Sequence, residues 1–363
     1  MKILHIDTGK GWRGGQQQVF NLHLELTRAG VDSHLITQRG GELLRRSEGA
    51  GLPVYGLPLL GEWDLYSALK IAGRLKRGGF THLHLHSSHA QGIGVLAAML
   101  SGFRNVIATR RVDFEPKSGV LNRIKYGGRI KRFVAISEAI KAILLAFGVP
   151  EEKISLVNSG VDPDRIKPGS GNPFRGELGI SEGALLIGNI SALTDHKGQR
   201  YFIEAIPQIL LKAPEARFVI VGSGELEEAL KAQAAGLGLN DALTFTGFRS
   251  DVDEIMDALD IFVMSSHMEG LGTIVMDALA ASKPVVATQA GGIPEIIGED
   301  RGAGLLVPPK DPAAIADAVL ELIEDEGLAV SLAAAGRKRV VDKFSAKAMM
   351  EGNLALYREL DYG

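Results

Sequence analysis

Short apolar runs of four to six residues recur along this chain, and between most of them lies room for one amphipathic helix. The runs expected as strands are Ile3–Ile6, Ser33–Thr37, His82–His86, Val106–Thr109, Phe133–Ile136 and Ile154–Val157. They resume at Leu185–Ile190, Arg217–Val221, Leu243–Thr246, Ile261–Met264, Val285–Thr288 and Gly304–Val307. Most are nearly continuously apolar, without the alternation of a half-exposed strand, so parallel sheets covered on both faces are predicted. Strand and helix alternating in this way indicates the α/β class. A chain of 363 residues fits two domains of average size. The clearest Gly, Pro and polar stretch, GVDPDRIKPGSGNPFRG from Gly160 to Gly176, is the expected linker region. The expected domains are residues 1–162 and 163–345.

Composition narrows the function classes. Gly is raised, at 45 of 363, while Pro is not, which suits many tight βα turns better than disorder. With no cysteine, the chain has no disulfide, thiolate nucleophile or Cys-ligated metal. No apolar run approaches the ~18 residues of a membrane span. The opening MKILHID reads as a first strand and not as a signal peptide. These features predict a cytoplasmic protein. Residues 1–165 hold 23 Lys and Arg against 14 Asp and Glu, whereas residues 166–363 hold 17 against 29. A basic half and an acidic half suggest two units with different partners. Nine basic residues fall between Arg104 and Arg132, opposed only by Asp113 and Glu115. That run predicts attraction to an anionic acceptor or membrane leaflet, peripheral to the membrane. Nucleic acid is not expected, since aromatic interleaving and binding motifs are absent.

The densest chemical signal is SSHMEGLGTIVMDALAASKPVVATQAGGIPEII, from Ser265 to Ile297. Glu269 follows an apolar run and precedes Gly270, Leu271, Gly272 and Thr273; Asp277 lies eight residues beyond Glu269. A second apolar run leads into Gly291, Gly292, Pro294 and Glu295. Strand, Gly-rich turn and helix start leave backbone N–H groups free for an anionic ligand, with an acid beside them. A phosphate-bearing ligand with a hydroxyl-rich part would use both features.

This segment resembles the E-x7-E segment of retaining glycosyltransferases with the two-Rossmann-domain GT-B fold, family 4, also called group 1. The resemblance implies two Rossmann-like α/β domains facing across a cleft, with the last helix, residues 346–363, crossing back onto the first domain. It implies that Glu269 holds the donor sugar, that the turn Gly270–Thr273 holds the diphosphate, and that Asp277 holds the ribose. Asp277 departs from the family's Glu by one methylene. Gly14 and Gly15 match the family's Gly-Gly turn before the first helix, facing the diphosphate. SALTDHKG, Ser191 to Gly198, matches the family's Gly-Arg-Leu…Lys-Gly; Lys197 is retained for the diphosphate, but Ser191 or Ala192 replaces the Arg. Gly222 and Gly224 in VGSGE, and Phe245 in FTG, match segments that lie against the nucleotide, and NSGVD, from Asn158 to Asp162, matches the domain junction.

Other patterns compete with this reading. Gly9 to Gly14 spells G-x-G-x-x-G, but strand two ends Thr37-Gln38-Arg39 without the acid a dinucleotide ribose needs. His82, His84, His86 and His89 form H-x-H-x-H-x-x-H, the first three on one strand face. Metal ligation is not expected because no acid lies between Thr81 and Thr109 to complete the shell. His86 and His89 are instead expected on the acceptor side, with Arg110. Arg111 is expected in the catalytic set, since Arg110 or Arg111 stands where many family members have His. The two D-x-D sequences, Asp162–Asp164 and Asp251–Asp253, are expected to be structural. The implied function is retaining transfer of a sugar from a UDP- or GDP-linked donor to a saccharide or lipid-linked acceptor, without cofactor or metal, in bacterial surface polysaccharide or lipopolysaccharide assembly. The alternatives are a catalytically weakened sugar-nucleotide-binding protein, a nucleotide-sugar epimerase of the same fold and, third, an NAD oxidoreductase.

Overall fold

The structure is a computed structural model that describes residues 1–114, 119, 125–181, 183–298 and 302–362. The chain divides into two compact units, residues 1–160 with 346–363, and residues 161–345.

The first unit is built on a seven-stranded sheet in the order β3-β2-β1-β4-β5-β6-β7. Its strands are β1 (Lys2–Asp7), β2 (Asp32–Gln38), β3 (Val54–Leu57), β4 (His82–Leu85), β5 (Val106–Arg110), β6 (Ile130–Ala135) and β7 (Ile154–Leu156). Each pairing is parallel. Helices Gly14–Arg28 and Ala346–Tyr362 pack on the sheet, joining Leu22, Leu26, Met349, Leu356 and Tyr357 to Ile3, Ile107 and Val134. Tyr357 is fully buried, so the C-terminal helix supplies part of this unit's core. Gly352 of that helix permits the approach: a Cβ there would lie 2.8 Å from Val157.

The second unit carries a six-stranded sheet in the order β10-β9-β8-β11-β12-β13. Its strands are β8 (Leu186–Ile190), β9 (Arg217–Val221), β10 (Leu243–Gly247), β11 (Ile261–Met264), β12 (Val285–Thr288) and β13 (Leu305–Val307). All of its pairings are also parallel. Helices Gln199–Lys212 and Pro312–Glu324 cover one face through Phe202, Ile206, Ile315 and Val319. The chain enters and leaves this unit at one place. Val161 N–H donates to Phe344 O at 2.9 Å, and Val161 bridges to Ser345.

In each sheet the strand order reverses beside its first strand, between β1 and β4 and between β8 and β11. Loops at the carboxyl ends of such strands diverge and leave room for a ligand. The predicted motif loops, 9–15 after β1, 191–198 after β8 and 265–272 after β11, emerge at these points. Among the described residues, no helix is long and apolar enough to cross a membrane.

Candidate active site

In the second unit, β11 is wholly buried and delivers the loop that carries Glu269. The helix Thr273–Ala280 then starts from Gly272, whose φ of +91° lies in the left-handed region, and no side chain caps it. The amides after Gly272 are therefore not taken up by a capping side chain. Lys197 ends a short 3-10 turn, Asp195–Lys197, and its ammonium is ion-paired with the Glu269 carboxylate. Both side chains are mostly enclosed, at 17% and 14% exposed.

Backbone and side-chain contacts lace the two loops together. His267 N–H donates to His196 O at 2.9 Å, Ser265 Oγ to Lys197 O at 3.2 Å, and His267 Nε2 lies 3.1 Å from Asp195 Oδ2. Two glycines are demanded by this lacing. A Cβ on Gly198 would come within 2.2 Å of Ser265 O, and one on Gly291 within 1.5 Å of Glu269 O. The GGIPE turn thus seats directly on the Glu269 backbone. Gly222 and Gly224 serve loop packing in the same way, since added Cβ atoms would meet Ser191 O and Leu193 O at 1.9 and 2.2 Å. Phe245 packs partly buried against the core. Gly270, Leu271 and Thr273 belong to the Glu269 turn and helix start, Leu271 being buried. At the position of the family's Arg, Ser191 Oγ donates to Asn189 and receives Gln199 Nε2, both at 2.8 Å. The next cation along the chain after Lys197, Arg200, is half exposed and 3.9 Å from Asp195.

Asp277 has different partners. It is 6% exposed and lies 2.9 Å from Arg165, which also approaches Asp253 at 3.3 Å. Burial pushes its carboxyl up to about 6, with Arg165 opposing the rise. Arg165 carried no sequence signal, because it lies in the linker stretch and meets Asp277 only through the fold. Neither D-x-D pairs its acids on a common centre. Asp251 is held by Arg249, Asp253 by Arg165 and Asp164 by Arg337.

In the first unit, Gly14 and Gly15 open the helix Gly14–Arg28, which no side chain caps. Before it, the buried Asp7 accepts from Gly9 N–H at 2.8 Å and Gln16 Nε2 at 3.1 Å, and burial raises its carboxyl. The strand histidines form a buried network with a member that the spacing did not disclose. His5, opposite His84 in the β1–β4 register, lies with its Nδ1 2.9 Å from His86 Nε2. His84 bonds Tyr357 Oη and Thr109 Oγ1, both at 2.6 Å. His5, His84 and His86 are close enough to share a metal ion. Both His84 nitrogens are already engaged, however, and the Arg111 charge disfavours added positive charge at His84 and His86. Burial holds all three far below the ordinary histidine range, so they are neutral near pH 7. His89 is exposed, apart from this network.

Arg111 donates to Ser159 Oγ at 3.0 Å, and burial lowers its guanidinium to about 10, which leaves it charged. Arg110 is buried, donating to Tyr126 Oη at 2.6 Å and to Phe114 O. It braces the following loop instead of standing open to an acceptor. The basic run from Arg104 to Arg132 also differs from a single exposed patch. Lys125 is buried on Glu62 and Ser88 Oγ, and Arg132 is paired with Glu359. Lys117 and Arg123 lie outside the described residues, and Arg104 and Arg129 are exposed.

Two family models match this chain. One, described as glycosyl transferases group 1, matches residues 172–339; the other, glycosyltransferase family 4, matches residues 12–165. The 2-deoxystreptamine glucosyltransferase of Streptomyces kanamyceticus is 27% identical over 91% of this chain and 94% of its own length. The GDP-mannose-dependent alpha-(1-6)-phosphatidylinositol monomannoside mannosyltransferase of Mycobacterium tuberculosis is 34% identical over 61% of this chain. The match spans 59% of the mycobacterial protein and 59% of an uncharacterized glycosyltransferase of Methanocaldococcus jannaschii. Among solved structures, Anabaena HepE in complex with UDP and glucose superposes with a TM-score of 0.85 at 21% identity, over 98% of this chain and 99% of that one.

Proposed function

This chain belongs to the group 1, family 4 glycosyltransferases of GT-B fold, and we propose that it moves a sugar from a nucleotide-sugar donor to a saccharide or glycolipid acceptor with retention at the anomeric carbon. The observation that carries this reading is the Lys197–Glu269 pair at the start of the helix Thr273–Ala280. In such a site the diphosphate of a UDP- or GDP-linked donor would take the Lys197 charge and the helix amides. Glu269, released from the ammonium, would accept from sugar hydroxyls. As the sugar–phosphate bond breaks, negative charge grows on the leaving diphosphate, where fixed donors stabilise it most. This division of labour assigns leaving-group stabilisation to the chain's own residues, without a metal or cofactor. By the family resemblance, Gly14 and Gly15 are proposed as donor-binding residues, Arg111 as part of the catalytic set, and His86 and His89 as acceptor-side groups.

Relatives that include an amylovoran biosynthesis glycosyltransferase of Erwinia amylovora and the mycobacterial mannosyltransferase favour surface polysaccharide or glycolipid assembly as the setting. The test is a thermal-shift panel of UDP, GDP and ADP with their sugars, followed by turnover with the donor that binds. A ligand present at ~100 times its Kd stabilises by ~2.7 kcal/mol. Binding without transfer or isomerisation would leave a sugar-nucleotide-binding protein. Release of an isomerised sugar nucleotide without acceptor would identify an epimerase.

A further inference from the structure

We propose that Asp277 serves to hold Arg165 and leaves the ribose hydroxyls of a nucleotide unread, so that nucleoside diphosphates of the ribo and deoxyribo series bind alike. With the glycosyltransferase reading above as its basis, this names the donor class of that same site. Asp277 is the fifth residue of the helix Thr273–Ala280. It lies four residues after Thr273, on the same face and one turn deeper than the helix start. Helix side chains lean toward the N-terminus, so a longer acid here would reach toward the start, where the diphosphate is proposed to sit. Aspartate stops one methylene short of glutamate, and what it meets is Arg165, at 2.9 Å. Only 9% of the Asp277 side chain is exposed, and its Oδ1, which faces Arg165, is closed to solvent. The two hydroxyls of a ribose would need both carboxylate oxygens open.

Arg165 is not free to give way. Arg337, on the helix Glu326–Lys343, donates to Pro163 O at 2.8 Å and to the O of Ala280, the last residue of the Asp277 helix. It also holds Asp164 at 2.8 Å. Ile166, on the other side of Arg165, is buried. Arg165 thus sits between two anchored neighbours, with Asp253 as its second acid at 3.3 Å. A ribose hydroxyl is neutral, and it would have to displace a contact in which both partners are charged, the stronger kind. Drawing Asp277 away would leave the Arg165 charge short of a buried partner. Glu269, the other acid of the segment, is taken by Lys197 and is proposed for the donor sugar.

The experiment is titration calorimetry of the full chain with UDP, GDP and the 2′-deoxy and 3′-deoxy forms of each. A hydroxyl accepted by a carboxylate contributes roughly tenfold to a hundredfold in affinity. Without that contact, wild type should bind each deoxy form within about threefold of its parent. Asp277→Asn keeps the shape of the side chain and removes its charge. It should change the affinity of ribo and deoxyribo forms by the same factor, through the loosened tie to Arg165. The wild-type ratio stands as a test even if the variant fails to fold. A deoxy form bound about tenfold or more weaker than its parent would overturn the proposal and leave the donor reading intact. Loss of that discrimination in Asp277→Asn would return Asp277 to the ribose; its persistence would point to another acid, such as the exposed Glu225. Failure of every nucleotide to bind would remove the donor reading, and the proposal with it.

Discussion

Arg165 stands 2.9 Å from Asp277 and ties the stretch after the unit boundary to the helix that follows the Glu269 loop. Asp277 is buried and its carboxyl is raised to about 6 from an ordinary value near 3.8. The folded chain therefore holds this proton more tightly than the unfolded chain. Its contribution to stability is full below pH ~4 and is lost as pH rises through ~6. Asp277→Asn removes that dependence. The stability of wild type relative to the variant should fall by up to about 3 kcal/mol from pH 4 to pH 6.5. Urea titrations of both proteins across that range check the sign; a flat difference would mean that Asp277 is ionised throughout.

The histidine network carries the opposite sign. His5, His84 and His86 are held well below the ordinary histidine value by burial. Their stabilising effect is present above pH ~6.5 and is lost as pH falls, because the unfolded chain then takes up protons that the folded one refuses. The first unit should loosen on mild acidification. Tyr357→Phe deprives His84 of a buried partner and should cost about 1–3 kcal/mol at neutral pH. Hydrogen exchange at β1 and β4, followed from pH 7.5 to 5.5, would locate the loss.

Glu269→Gln is expected to abolish most transfer while nucleotide diphosphate binding stays near wild type. The amide keeps the side chain's size but loses the charge proposed to orient the sugar hydroxyls. Retention of a near-normal kcat would remove Glu269 from the site.

Lys197→Ala should weaken diphosphate binding and slow transfer. Loss of one charge-assisted contact costs roughly 1.5–3 kcal/mol, or one to two decades in kcat/KM. The upper end is expected, since Ser191 supplies no second cation. EDTA should change little; inhibition reversed by Mn²⁺ would point to a metal-dependent reaction.

Gly291→Ala tests the seat of the Glu269 loop. At φ of +53° the new methyl would stand 1.5 Å from Glu269 O, so the loop must move. A loss of donor affinity comparable to that of Lys197→Ala is expected, together with a lower Tm. A control at Gly15, where an added Cβ meets nothing within 4 Å, should leave the fold unharmed.

What the sequence disclosed followed from local chemistry. Strands such as Arg217–Val221, Ile261–Met264 and Val285–Thr288 are buried on both faces, so their apolar runs stop where the strands stop. β3 escaped because Val54–Leu57 is an edge strand, half-buried throughout and interrupted by Gly56. The resemblance implied separate roles for Lys197 and Glu269, on the diphosphate and on the sugar; their ion pair, across 72 residues, is disclosed only by the structure. The environments of Arg110, Lys125 and Asp277 did not follow. A charge in a sequence looks the same whether it meets water, a tyrosine hydroxyl or a distant acid. His5 joined the network only through the pairing of β1 with β4.

The neighbouring positions of Val161 and Ser345 have a consequence for biosynthesis. The strands of the first unit are translated before the second unit, yet its core lacks Met349 and Tyr357 until the helix Ala346–Tyr362 has been made. Among the described residues, the buried cluster of the second unit, from Ile187 to Leu332, draws on nothing later in the chain, and the ends of residues 161–345 already lie together. The half encoded second can therefore become native on the ribosome before the half encoded first. During that interval the unfinished sheet around Ile3, Ile107 and Val134 is the surface that a chaperone would need to shield.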